Sequence, residues 1–333
     1  MSAAALDRLL AILIVAQLAT GLISLRAGTP PTSLLFVVHG LLAGALLAAV
    51  ALKLWRSVPK AIRARRWTAL AVSLVLGAAA CAAMVGGFAW VASGRILSIG
   101  SWTILTLHVW AALVLVPVAV VHLVPRRWRV LRPPAGGLGT RAISRRTALA
   151  TMSLGAVGVA AWGAANAAER LFGGSRRFTG SRWRPDGGVP PATTFFGEAT
   201  PRVDPVAWRL SVTGRVERPL SLSLAELAAV GLVEREAILD CTSGWALRTT
   251  WAGVPLARLL EMAGAAGDAR RVHVRSVTDW YAELPIAEAR GALLATGVAG
   301  HPLPVGNGAP CRLVAPGRRG LEWVKWVDRV EVS

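Results

Sequence analysis

Cysteine, histidine and acidic side chains are all in short supply in this sequence. Three cysteines in 333 residues are too few for a disulfide framework. No second cysteine or histidine stands at zinc-ligand spacing from Cys241, which removes a structural zinc site there. Cys81 lies in an apolar run and Cys311 in a strand-like run, so both read as packing. Asp and Glu total 18 against 37 Lys and Arg, a net charge of +19. No zinc-finger, RRM-like or helix-turn-helix pattern accompanies that charge, so no nucleic-acid partner is expected. Much of it falls in two stretches instead: Lys53, Arg56, Lys60, Arg63, Arg65 and Arg66, then Arg126, Arg127, Arg129, Arg132, Arg141, Arg145 and Arg146. Both lie between apolar segments, which is the pattern of topological charge at a membrane surface.

What is abundant is apolar surface. Hydrophobic residues make up 54% of the chain and concentrate in its first half. Residues 9–25, 34–54, 67–91 and 102–124 are each close to the ~20 residues a helix needs to cross a bilayer. Helices are the expected form, because a backbone in lipid must satisfy its own hydrogen bonds. The basic clusters follow the second and fourth segments, whereas the other two loops contribute only Arg26 and Arg95. By the positive-inside rule the basic loops and the N-terminus are cytoplasmic, and segments two and four start at the outer face.

His39 and His108 then lie at similar depth, each about six residues into its helix. That is the placement for bis-imidazole ligation of one haem b between facing helices. A polar ring can also act as interhelical glue, and the residues alone leave both readings open. His122 falls on nearly the same face as His108, ~21 Å deeper. It is a candidate for a second haem, a quinone site or a structural hydrogen bond, and no histidine partner stands at its depth. Four helices with a histidine pair in the fourth resemble the small cytochrome b-type membrane subunits that exchange electrons with quinones. The resemblance covers roughly residues 1–130 and departs from the two-haem pattern, because the first helix has no histidine.

Ser144-Arg145-Arg146-Thr147 precedes a mild Ala- and Gly-rich apolar stretch, 148–168. It resembles a twin-arginine export signal; an ordinary helix flanked by positive charge is the alternative. Either sends the following domain out of the cytoplasm. Retention as a fifth membrane helix is expected in preference to cleavage after Ala165-Asn166-Ala167. Residues 171–192 are rich in Gly, Pro and Arg and read as a linker.

From 193 onward short runs alternate apolar and polar residues. Strands are expected at 208–212, 236–239, 271–277, 311–314 and 324–332, with short helices at 224–229 and 256–263. Ser223 and Glu226 form a capping box for the first helix. The 236–239 strand leads into Asp240-Cys241-Thr242-Ser243-Gly244-Trp245, followed by Trp251-Ala252-Gly253-Val254-Pro255-Leu256. Near the end stand Asn307-Gly308-Ala309-Pro310-Cys311-Arg312-Leu313-Val314-Ala315-Pro316-Gly317, Gly320 and Val324-Lys325-Trp326. These segments, with an opening strand around Trp208-Arg209-Leu210, resemble the sulfite-oxidase family of molybdopterin enzymes over roughly residues 193–333. Taken alone, Cys241 reads as a core cysteine; with both flanking motifs it reads as the molybdenum ligand. A soft thiolate suits that metal, and a dithiolene from the pterin supplies the other sulfurs.

The resemblance further implies a cofactor phosphate and cationic contacts to it. Arg312 and Lys325 are the candidates, with Arg319 in the Gly317–Gly320 turn and with Thr194 and Phe196 lining the pocket. Arg248, close to Cys241 in sequence, is a candidate for binding an oxyanion substrate. Each of these also reads, alone, as a solvated charge or loop residue. Asn307 stands where many members carry histidine; it can donate a hydrogen bond but cannot hold a protonic charge. The chain ends after the cofactor domain, which favours the monomeric, methionine-sulfoxide-reductase-like branch.

The expected architecture is multi-domain. An all-α transmembrane four-helix bundle (1–130) is followed by a basic cytoplasmic loop and a fifth signal-anchor helix (131–170). The linker (171–192) leads to an α+β, mostly β, molybdopterin-binding domain (193–333). The expected function is oxygen-atom transfer on an extracytoplasmic small-molecule or protein-bound oxo substrate, with electrons exchanged with quinone through haem. The rivals are the same enzyme on a bare anchor with a soluble cytochrome partner, and a metal-free binding module.

Overall fold

The computed structural model describes residues 1–124, 145–194 and 199–333. Phe196 and the arginines between 126 and 141 lie outside these. The chain divides into two units, Met1–Ser24 with Pro30–Gly180, and Leu25–Thr29 with Ser181–Ser333.

The first unit is built from α1 (Ala3–Ser24), α2 (Ser33–Arg63), α3 (Trp67–Ala92), α4 (Ile104–Leu123) and α5 (Arg145–Leu171). All five are long and apolar enough to cross a membrane. Leu6, Leu13, Leu46, Ala49, Met84 and Leu115 form the buried core between them, while Ile12, Val15, Val75 and Val121 face outward. In water such apolar faces would be a liability. The helix α1 starts earlier than its apolar run, because Asp7 within it pairs with Lys53 of α2. Conversely, α4 starts late. Thr103 caps it, its Oγ1 accepting from Thr106 N at 3.1 Å, and Trp102–Thr103 pairs with Ser98–Ile99 as a two-residue ladder. Small residues let α2 and α5 approach closely: a Cβ on Gly44 would sit 2.6 Å from Gly158 Cα.

The second unit carries two sheets. In one, β6 (Val233–Asp240) and β7 (Trp245–Pro255) form a hairpin. On its other edge β7 pairs with β10 (Leu293–Val298) and, in parallel, with β3 (Arg182–Trp183). β11 (His301–Pro302) and β12 (Arg312–Val314) both pair with β10 and complete the sheet. The other sheet runs β5-β4-β13-β8-β9, with β4 at Leu210–Gly214, β5 at Leu220–Leu222, β8 at Arg271–Ser276, β9 at Tyr281–Pro285 and β13 at Val327–Val332. The helix at Leu224–Ala229 has the expected capping box. The helix at Leu256–Ala263 ends on Gly264 at φ +65°, a left-handed cap that suits glycine.

Two sequence expectations change. Residues 245–255, flagged only as a motif, are the longest strand among the described residues of this unit. Its Trp, Gly and Pro content hides the alternation that marks a strand. Residues 181–184, placed in a linker, are instead the start of the sheet, with Ser181 and Arg182 buried. Their own composition is polar; pairing with β7 is what orders them.

Candidate active site

Cys241 sits at the tip of the β6–β7 hairpin. Its N–H donates to Trp245 O at 2.8 Å, and its carbonyl accepts from Gly244 N at 3.0 Å. Gly244 takes φ +96° to make the tight return. The side chain is 8% exposed and opens on a cavity of about 300 Å³, the lower end of the size range of small-molecule sites. Thr193 Oγ1 and Ser243 N each lie 3.4 Å from Cys241 Sγ. Gly320 closes in from the other side: a Cβ there would lie 3.2 Å from Cys241 Cα.

Arg312 is the main cation of this cavity. It is 2% exposed, and its guanidinium carbon lies 5.0 Å from the Trp251 ring centre and 5.8 Å from that of Trp323. Its Nη1 and Nη2 donate to the carbonyls of Asn307 (3.0 Å) and Trp323 (3.2 Å), while Nε has no hydrogen-bond partner. Burial pulls the guanidinium down to about 10, opposed by the neighbouring Cys241. Lys325 Nζ donates to the carbonyls of Thr193 (2.7 Å) and Gly306 (2.8 Å). Asn307 Nδ2 donates to Pro190 O at 2.9 Å. Asn307 and Lys325 thereby pin the 190–194 segment that forms part of the cavity wall.

Of the residues singled out in the sequence, Cys241, Thr194, Asn307, Arg312 and Lys325 all line this cavity. Two others do not. Arg319 lies behind Cys241, donating from Nη2 to its carbonyl at 3.3 Å. Arg248 points away, half exposed and 3.8 Å from Glu236. It follows inward-facing Leu247 on β7, and strand alternation turns it to the opposite face. Sequence reasoning missed Thr193, Ser243 and the tryptophans Trp245, Trp280 and Trp323 that line the wall. Only the high tryptophan count, 14, signalled the latter. Cys311 is fully buried; burial pushes its thiol up, in keeping with packing.

Gly308 joins these groups. At φ +111° it occupies a conformation that favours glycine, and a Cβ would sit 3.0 Å from Lys325 Cα and 3.1 Å from Arg312 Cβ. Gly308→Ala should therefore lower the urea midpoint, by about 1–3 kcal/mol of stability. A variant as stable as wild type would contradict that tight approach.

Among the described residues the wall holds two cations and no Asp or Glu. Arg312 donates there only to carbonyls, so no described carboxylate pairs with its buried charge. Burying such a charge is costly unless an anion joins it. A pterin dithiolene with its phosphate, beside one soft sulfur, fits that donor set.

In the first unit, His39 and His108 face each other, ring centres 6.1 Å apart and planes at 86°. Thr20 Oγ1 donates to Ala16 O at 2.8 Å and lies 2.8 Å from His39 Nδ1. His108 Nδ1 lies 2.5 Å from Ala83 O. With a spent hydroxyl and a carbonyl as acceptors, both rings carry their proton on Nδ1. His122 lies in the last turn of α4.

The second unit is a mixed α/β unit whose cavity is built on a strand-tip cysteine. Residues 197–333 match the family described as "Oxidoreductase molybdopterin binding domain". The chain is 38% identical over 169 residues to the protein-methionine-sulfoxide reductase catalytic subunit MsrP of Xanthomonas campestris pv. campestris, covering 43% of this chain and 52% of that one. It is 32% identical over 148 residues to MsrP of Gluconobacter oxydans, covering 38% and 47%. The chain thus spans about half the length of the curated relatives it matches. A solved structure, the sulfane dehydrogenase SoxCD of Paracoccus pantotrophus, aligns at 25% identity over 40% of each chain, with a TM-score of 0.38.

Proposed function

We propose that this protein is a membrane-anchored molybdenum-cofactor oxidoreductase that transfers an oxygen atom to or from an extracytoplasmic substrate. The observation that carries the reading is Cys241, a thiol opening on a cavity whose Arg312 meets no carboxylate among the described residues. Cys241 would hold the metal, while Arg312 and Lys325 would balance the anionic pterin group. Asn307 and Thr194 would contact it from the wall. When bound, the group supplies two-electron chemistry coupled to oxygen-atom movement. The chain's own part is to hold the thiolate, exclude water with Trp323 and Trp326, and offer Ser276, Thr278 and Trp280 to the substrate. The similarity to MsrP makes a sulfoxide the first substrate to test.

Membrane anchoring is supported by five helices of spanning length and by basic residues beyond α2. Retention of α5 is supported by its Ala165-Asn166-Ala167 peptide. Ala165 is buried, and Asn166 accepts from Arg176, which also bonds Glu169 at 2.7 Å.

Haem b between His39 and His108, exchanging electrons with quinone, completes the proposal. His39 and His108, with ring centres 6.1 Å apart, would hold the haem iron through Nε2, which outward Nδ1 contacts leave available. Purified protein should show a Soret band that shifts on dithionite reduction. His39→Ala and His108→Ala should each reduce it by at least about tenfold. A bare anchor would show no band even after haem reconstitution.

Molybdenum analysis, with reduced-dye oxidation against a panel of sulfoxides and N-oxides, tests the whole reading. Near-stoichiometric metal and turnover on at least one compound are expected. Loaded protein that turns over none would argue for a binding module.

A further inference from the structure

Three buried polar side chains from separate stretches of chain meet behind Cys241, on the side away from the cavity. Ser181 is fully buried, Asp240 is 2% exposed and Arg319 is 3% exposed. Ser181 Oγ donates to Asp240 Oδ1 at 2.6 Å and lies 3.4 Å from the Cys241 carbonyl oxygen. Arg319 Nη2 donates to that same carbonyl at 3.3 Å, while its Nε lies 3.6 Å from Asp240 Oδ1. Backbone contact reinforces this, since Asp240 and Arg319 form a parallel bridge.

None of the three lines the cavity, so none can be assigned to cofactor or substrate. Nor is stability a sufficient reason for them. A buried ion pair loses hydration on both partners, and well-packed apolar groups of the same volume often do as well. What apolar groups would not provide is a grip on a carbonyl. Arg319 joins Gly244 N as a donor to the Cys241 carbonyl, while the Ser181 hydroxyl holds the Asp240 carboxylate that pairs with Arg319. They therefore fix the backbone on both sides of one peptide bond. Among the described residues the sulfur, in contrast, has hydrogen-bond contacts to Thr193 Oγ1 and Ser243 N, each at 3.4 Å, too long to orient it firmly.

We propose that Ser181, Asp240 and Arg319 form a positioning unit that aims Cys241 Sγ into the cavity and keeps a compensated carboxylate beside it. The proposal rests on the reading of Cys241 as the metal ligand. It makes Arg319 a positioning residue, one step removed from the cofactor contact expected of it from sequence. Removing the carboxylate takes away the anion that Asp240 sets beside Arg319 behind the cysteine and would alter the field at any metal bound by its sulfur. Changing Arg319 to lysine keeps the charge but loses the fork that spans carboxylate and carbonyl.

The test uses full-length wild type, Asp240→Asn, Arg319→Lys and Ser181→Ala. Loaded proteins are compared by molybdenum content and electron paramagnetic resonance. Protein produced without cofactor is treated with iodoacetamide, and modification of the Cys241 peptide is followed by mass spectrometry. Each variant should retain metal but shift the resonance lines, Asp240→Asn furthest. Alkylation of Cys241 should accelerate about tenfold, equivalent to about 1.4 kcal/mol easier local opening. Ser181→Ala, which leaves the ion pair intact, keeps the test alive should Asp240→Asn fail to fold. Wild-type spectra and alkylation rates in both Ser181→Ala and Arg319→Lys would overturn the positioning unit while leaving the ligand reading intact. Wild-type protein that never takes up molybdenum would overturn the ligand reading itself.

Discussion

Cys241→Ser is expected to strip the protein of molybdenum and of oxygen-atom transfer while leaving it folded. Serine is close in size, and the hairpin that presents residue 241 is closed by backbone bonds, Cys241 N to Trp245 O and Gly244 N to Cys241 O. The fold should therefore survive. A hydroxyl, however, is neither soft nor readily deprotonated, so it is a poor replacement for a thiolate on this metal. Turnover should fall by more than the roughly 10–100-fold that loss of an outer-shell partner costs a metal site. Metal content should drop from near one per chain to a small fraction. Circular dichroism, metal analysis and dye-coupled turnover check the three parts. Equal turnover in both proteins would remove Cys241 from the chemistry.

The second large effect is expected at Arg312. Burial holds its guanidinium at about 10, below its ordinary value. For a cation, a folded-state value below the unfolded one means that folding bears a cost. That cost is fully present at pH below about 10 and relieved only as pH rises above it. At pH 7 an anion bound in the cavity would offset it. Cofactor loading should therefore raise the melting temperature of wild type, as binding to the native state alone must. Arg312→Met removes the cation and keeps much of the volume between Trp251 and Trp323. It should reduce cofactor occupancy by roughly 10–100-fold and shrink the thermal gain on loading. Unchanged occupancy would mean that the charge serves the fold alone.

Arg248 and Arg319 show where sequence reasoning stops. Both are near Cys241 by one measure, seven positions along the chain in the first case and motif proximity in the second. Yet strand alternation puts Arg248 on the far face, beside Glu236, and the turn before Gly320 puts Arg319 behind the cysteine. Neither fact can be read from a one-dimensional spacing, because each depends on which face of a paired strand meets the cavity. Ser181 illustrates the converse. It looked like linker, and only pairing of residues 182–183 with β7 brings it to Asp240.

The helices of the described residues were legible for a plain reason: apolar runs of spanning length admit little else, so their approximate bounds follow from composition alone. The place of Cys241 at the end of a strand was legible because an alternating run leads straight into it. Cap residues such as Ser223 are equally local. Tertiary structure alone decided which cations face the cysteine, which carbonyls pin the 190–194 segment, and how His39 and His108 direct their ring nitrogens. Those are relations between segments far apart in the chain, set by strand pairing and helix packing, and no local pattern encodes them.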